Sequence, residues 1–122
     1  KKEKQYLTQK IIQHPKDSID LLPKNEFWQS GIINSLILNH HEKPDGSGFP
    51  KGISHSRFDL FLSVYYLANL FVDKFIDEGL KINKQNKILN EINIECKKYV
   101  SINFKKALEY FNRVFEKENK CL

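Results

Sequence analysis

The 122-residue chain contains no methionine. Residue 1 is therefore not a translation start, which predicts a piece excised from something longer, here a single domain portion spanning 1–122. Only Cys96 and Cys121 carry thiols. Two cysteines at that spacing build neither a zinc knuckle nor a disulfide framework, in keeping with a reducing, cytoplasmic setting. No apolar run approaches the roughly 18 residues of a membrane span, and the opening KKEKQYLTQK lacks the apolar stretch of a signal peptide. No membrane partner is expected. Glycine is scarce too, with five residues, and four of them fall between 46 and 79. The net charge of +5 comes from scattered lysines. Without a basic stripe it weighs against a dedicated nucleic-acid binder, while mildly favouring an anionic ligand such as a phosphodiester.

What is present is mostly helical pattern. Leu7, Ile11 and His14 recur at helical spacing until Pro15, which predicts a helix interrupted there. A second helix is expected from about Glu26 to His41, with Ile32, Ile33, Leu36 and Ile37 on one side. His40 and His41 follow Leu36 and Ile37 by four residues each, so both continue toward the buried side. A third helix is expected over 57–75, with Leu60, Val64, Leu67, Ala68, Phe71 and Phe75 as its stripe. Further helices are expected near 85–97 and over 102–117, the last carrying Phe104, Leu108, Phe111 and Phe115. No strand-period alternation occurs, and the expected fold class is all-α. Trp28 and the aromatic run Phe58, Phe61, Tyr65, Tyr66, Phe71 and Phe75 are expected to pack, with Tyr65 or Tyr66 open to a place at a pocket mouth.

Between the second and third helices lies HHEKPDGSGFPKG, residues 40–52. Its prolines and glycines exclude a regular element and predict a loop over 43–57. A single histidine on an apolar face is usually a hydrogen-bonded core residue. Two adjacent ones at a helix end, with His14 also on the apolar side of its helix, suit a metal cluster better. Helix neighbours point about 100° apart, so His40 and His41 need not share one ion. His55, between two serines, is expected to face solvent. Imidazoles are neutral, and a centre with two divalent ions generally needs carboxylates beside them. Glu42 is a candidate for orienting an imidazole behind the ligands. Asp45 precedes Gly46 in a turn where the carboxylate bonds backbone amides. Gly46, Ser47 and Gly48 either offer open N–H groups to a phosphate oxygen or make a tight connection held by two prolines.

This stretch resembles the signature of the HD-GYP family, in which His-His-Glu, two variable residues and Asp-Gly-Ser-Gly-Tyr-Pro follow a helix; Phe49 replaces the tyrosine. The His14–Pro15 pair resembles the family's isolated metal histidine, and the likeness extends over roughly residues 4–76. It implies an HD-type helical bundle, here without the upstream helices that carry the His-Asp motif. It implies a bacterial signalling phosphodiesterase that opens cyclic di-GMP, or a related cyclic dinucleotide, and hydrolyses it on to GMP. Two or three iron, manganese or similar divalent ions would be the cofactor. His14, His40 and His41 would be metal ligands, Gly46, Ser47, Gly48, Phe49, Pro50 and Lys51 the substrate-side loop, and Glu42 and Asp45 their support.

Some positions depart from that pattern. No His-Asp pair occurs in the chain. Asn69 stands where the family carries its late metal aspartate, with Asp73 one turn on, and only Lys81 remains near the place of an arginine clamp. Phe49 lacks a hydroxyl worth about 1 kcal/mol to a phosphate. The alternative is therefore a catalytically inactive sensory or protein-interaction module. Apolar surface left without its upstream helices would favour a protein partner or a homodimer. Both alternatives require the rings of residues 14, 40 and 41 to converge in space.

Overall fold

Helix formers, caps and glycines set the element boundaries in a computed structural model that describes residues 2–120, with side chains described up to 116. Among the described residues the regular elements are helices, and an isolated antiparallel bridge between Asp45 and Ser54 is the nearest approach to a strand. The all-α expectation holds. The chain divides into one unit up to Ser54 and a second from His55 onward.

In the first unit, α1 (Lys2–Asp20) packs against α2 (Gly31–Asn39). Helix α1 does not stop at Pro15. It runs through that residue for another turn, and Pro15 is buried. Helix α2 begins five residues later than expected. Ser30 caps it by accepting the Ile33 N–H through Oγ (3.4 Å), and residues 25–29 form turns instead. It ends at Asn39, so His40 is its C-cap and His41 lies beyond it. Leu7 and Ile11, expected to be covered, are more than half exposed, as are Tyr6 and Ile32. Trp28 sits edge-on to Phe27 at 5.1 Å and is 40% exposed, a rim residue. The well-covered residues of this unit lie instead around the loop: Pro15, Asn39, Glu42, Pro44 and Ile53.

The second unit holds the larger core. Helix α3 (Leu60–Asp77) is capped by Asp59, whose Oδ1 accepts the Leu62 N–H at 2.7 Å. Its far end closes with Gly79 N–H to Ile76 O and Leu80 N–H to Phe75 O, both 2.9 Å, with Gly79 at φ +71°. That paired closure needs the left-handed conformation glycine adopts without strain. Helix α3 packs on α4 (Gln85–Cys96) and on α5 (Ile102–Lys120), which also touch each other. Leu62, Leu67, Ile88, Ile92, Cys96, Phe104 and Ala107 are nearly or wholly buried, and Phe58 joins them from the preceding loop. Val64 and Ala68 are exposed, contrary to expectation, because Ser63 takes the inward position with its hydroxyl donating to Asp59 O at 2.7 Å. Asn93 and Asn112 exchange amide hydrogen bonds of 2.9 and 2.8 Å between α4 and α5. Tyr66 packs 6.1 Å from Phe104 and 6.5 Å from Phe58, a core partner, while Tyr65 is exposed. The Cys96 thiol is pushed up to about 11 by burial, which makes it a packing group. Cys121 lies outside the described residues.

Candidate metal centre

Three imidazoles of the first unit meet. His14 Nε2 lies 3.1 Å from His40 Nε2 and 3.1 Å from His41 Nε2. One ligand atom from each ring falls within 4.8 Å of the others. The rings stand at steep angles, 74° between His14 and His40 and 72° between His14 and His41. His40 is the C-cap of α2 and His41 lies beyond it, and their ring centroids come within 4.0 Å of each other at 44°.

Backbone carbonyls orient two of the rings. His14 Nδ1 lies 2.6 Å from Ile11 O, and His40 Nδ1 lies 2.6 Å from Ile37 O. A carbonyl only accepts, so each Nδ1 must carry the proton. The neutral ring then presents a bare lone pair at Nε2. The 3.1 Å contact between His14 and His40 thus sets lone pair against lone pair, an arrangement that a cation between them turns from repulsive to attractive. Imidazole nitrogens sit about 2.1 Å from a zinc-like ion, which separates two of them by about 3.0 Å at a right angle and about 3.4 Å at the tetrahedral angle. The observed 3.1 Å falls inside that range, and the donor set suits a divalent transition metal. Burial, followed by the charges of His40 and then His14, lowers the His41 pKa, which favours the neutral form a metal requires.

The loop that follows is closed on itself. Gly46 N–H donates to Lys43 O (2.8 Å) and Ser47 N–H to Asp45 Oδ1 (2.9 Å). Two of the three amides that might have met a phosphate are therefore engaged, and the tight-connection alternative describes this loop. Asp45 makes the turn expected of it and also accepts the Ser47 hydroxyl at 2.6 Å. Gly48 is pressed so closely onto residues 41–43 that a Cβ there would lie 2.3 Å from Lys43 N and 2.4 Å from His41 O. Phe49 N–H donates to His41 O (3.2 Å), and the Phe49 ring stacks on the His41 ring at 4.6 Å and 19°. Pro50 and Lys51 are exposed at the loop's outer turn.

Glu42 has a different task from the one expected. Its carboxylate is 2% exposed and accepts the Lys51 N–H (2.6 Å) and the Ile53 N–H (3.0 Å). It ties the loop's returning segment to the histidine end of α2, while Ile11 and Ile37 orient the imidazoles of His14 and His40. A carboxylate placed at the root of a glycine- and proline-rich loop was the available signal for this role, since such loops leave amides in need of acceptors.

The remaining candidates belong to the second unit. Asn69 and Asp73 are exposed on α3, and Lys81 is exposed just before a short 3-10 turn at Ile82–Lys84. His55 is not solvent-facing as expected. It is half-buried beside Tyr99 (5.4 Å), in a 3-10 turn whose carbonyl accepts the Ser101 hydroxyl at 2.9 Å.

No curated protein and no solved structure matches the chain. The model of the family described as HD domain matches residues 2–73, more than half of the chain, and that span includes all three clustered histidines and the loop. The chain belongs to the HD domain family.

Proposed function

We propose that this chain supplies the histidine cluster and glycine loop of an HD-GYP-like, metal-dependent phosphodiesterase site for cyclic di-GMP or a related cyclic dinucleotide. The HD domain is a superfamily of metal-dependent hydrolases. The observation that carries the proposal is the convergence of His14, His40 and His41 with the Nε2 lone pairs of His14 and His40 turned inward. An iron or manganese ion bound there would lower the pKa of a water toward neutrality and offset charge on the phosphoryl oxygens.

The chain's own residues do the rest. His14, His40 and His41 would hold the ion, and the carbonyls of Ile11 and Ile37 keep two of them in the ligand tautomer. Phe49 covers one face of His41 and excludes water from that side of the ring. Glu42 and Asp45 keep the loop rigid, and the exposed ammonium of Lys51 offers a positive charge to a phosphate.

A second proposal has specific support. An amide at position 69 cannot bridge two ions as a carboxylate does. This departure lies within the chain and favours a catalytically inactive sensory or protein-interaction module that keeps the histidine cluster. Incubating the protein with cyclic di-GMP and manganese separates the two. Linear dinucleotide or GMP that disappears in His40→Ala supports the enzyme, whereas binding without any product supports the module.

A further inference from the structure

Pro15 poses a problem of helix chemistry that the histidine cluster resolves. A proline inside a helix removes one N–H, and the carbonyl four residues earlier loses its partner. For Pro15 that carbonyl is Ile11 O. It does accept a hydrogen bond, from His14 Nδ1 at 2.6 Å. The imidazole of the residue before the proline thus takes the place of the missing backbone donor. His40 is oriented by the same device with a different origin. Ile37 lies in the last turn of α2, where carbonyls have no helical partner, and His40 Nδ1 donates to it, also at 2.6 Å.

We propose that Pro15 is a positioning residue for the metal site: by lacking an N–H it leaves the Ile11 carbonyl open to His14 Nδ1–H, which turns the His14 Nε2 lone pair toward His40 and His41. The inference rests on the triad holding a divalent ion. With any other residue at position 15, its N–H competes for Ile11 O. His14 then loses the partner that selects its tautomer and its ring orientation. Partners behind a metal-bound histidine typically change affinity by about 10–100-fold when removed.

The test separates the missing N–H from the bulk of the ring. Pro15→Ala restores the N–H and removes the ring. Pro15→lactic acid, a backbone ester at the same position, carries the alanine side chain but no N–H. Binding of manganese(II) and zinc(II) to the full chain is measured by calorimetry for wild type and both variants. Nitrogen-15 NMR of the metal-free proteins reports which ring nitrogen of His14 is protonated. Expected are an Nδ1–H tautomer in the wild type and the ester, a loss of that preference in Pro15→Ala, and an affinity about 10–100-fold weaker in Pro15→Ala alone. Equal losses in both variants would show that the ring's packing matters and would overturn the proposal. So would an unchanged His14 tautomer in Pro15→Ala. A wild type that binds neither ion would refute the metal-site reading itself, and the tautomer comparison would still decide the part played by Pro15.

Discussion

Replacing Glu42 by alanine should release the loop from the histidine end of α2. The carboxylate is buried and accepts two backbone N–H groups, Lys51 at 2.6 Å and Ile53 at 3.0 Å. Hydrogen bonds to a charged partner contribute about 1.5–3 kcal/mol each, so the pair amounts to roughly 3–6 kcal/mol. Alanine leaves the Ile53 N–H buried without an acceptor, which places the cost in the upper half of that range. Domains of this size are stable by about 5–15 kcal/mol, so the loss is a large share of the total. Glu42→Gln keeps one oxygen but turns an NH2 toward the second amide, and about half the effect should remain. Urea unfolding followed by fluorescence of Trp28, the chain's one tryptophan, reads the stability of the unit that contains the loop. Amide hydrogen exchange at Lys51 and Ile53 reads the contact itself. Unaltered exchange at both amides in Glu42→Ala would refute the assigned role, whatever the unfolding midpoint does.

Three other perturbations test neighbouring parts of the structure. Gly48→Ala drives a Cβ to 2.3 Å from Lys43 N, against backbone that cannot swing aside, and should cost about 3 kcal/mol; loss of the Phe49–His41 stacking signature in aromatic NMR would accompany it. Leu67→Ala empties a fully buried site in α3 and should destabilise the second unit by about 2–5 kcal/mol in denaturant unfolding. The folded-state pKa of His41 lies below its ordinary value of 6.5, so the unfolded chain takes up that proton first as pH falls. Its contribution is therefore full above 6.5 and declines below it; in chelator, urea midpoints should fall on acidification, and His41→Asn should flatten the trend.

How far residues announce their own geometry differs along this chain. Helix α5 follows directly from apolar spacing, because Phe104, Leu108, Phe111 and Phe115 recur on its covered side. The start of α2 does not, since the apolar pattern runs back past Ser30 while the cap hydrogen bond decides where the helix begins. Pro15 misled for a physical reason: the rule that proline breaks a helix assumes its orphaned carbonyl finds no donor, and His14 provides one. Of the candidate site, the three histidines are legible because His14 continues the apolar spacing of Leu7 and Ile11 while His40 and His41 continue that of Leu36 and Ile37. Their common orientation is not, because it depends on the Ile11 and Ile37 carbonyls, which no side-chain pattern reports. The place of Glu42 beside the histidines marks it as a supporting carboxylate, but its partners are amides nine and eleven residues away. Only the closure of the loop reveals them.

The inward convergence of His14, His40 and His41 is tested most directly by counting metal on the purified full chain. Elemental analysis after manganese or zinc loading and dialysis should find a bound divalent ion in the wild type and its loss in His14→Ala and in the His40→Ala, His41→Ala double variant. Metal content that is the same in the wild type and in every histidine variant would contradict the account.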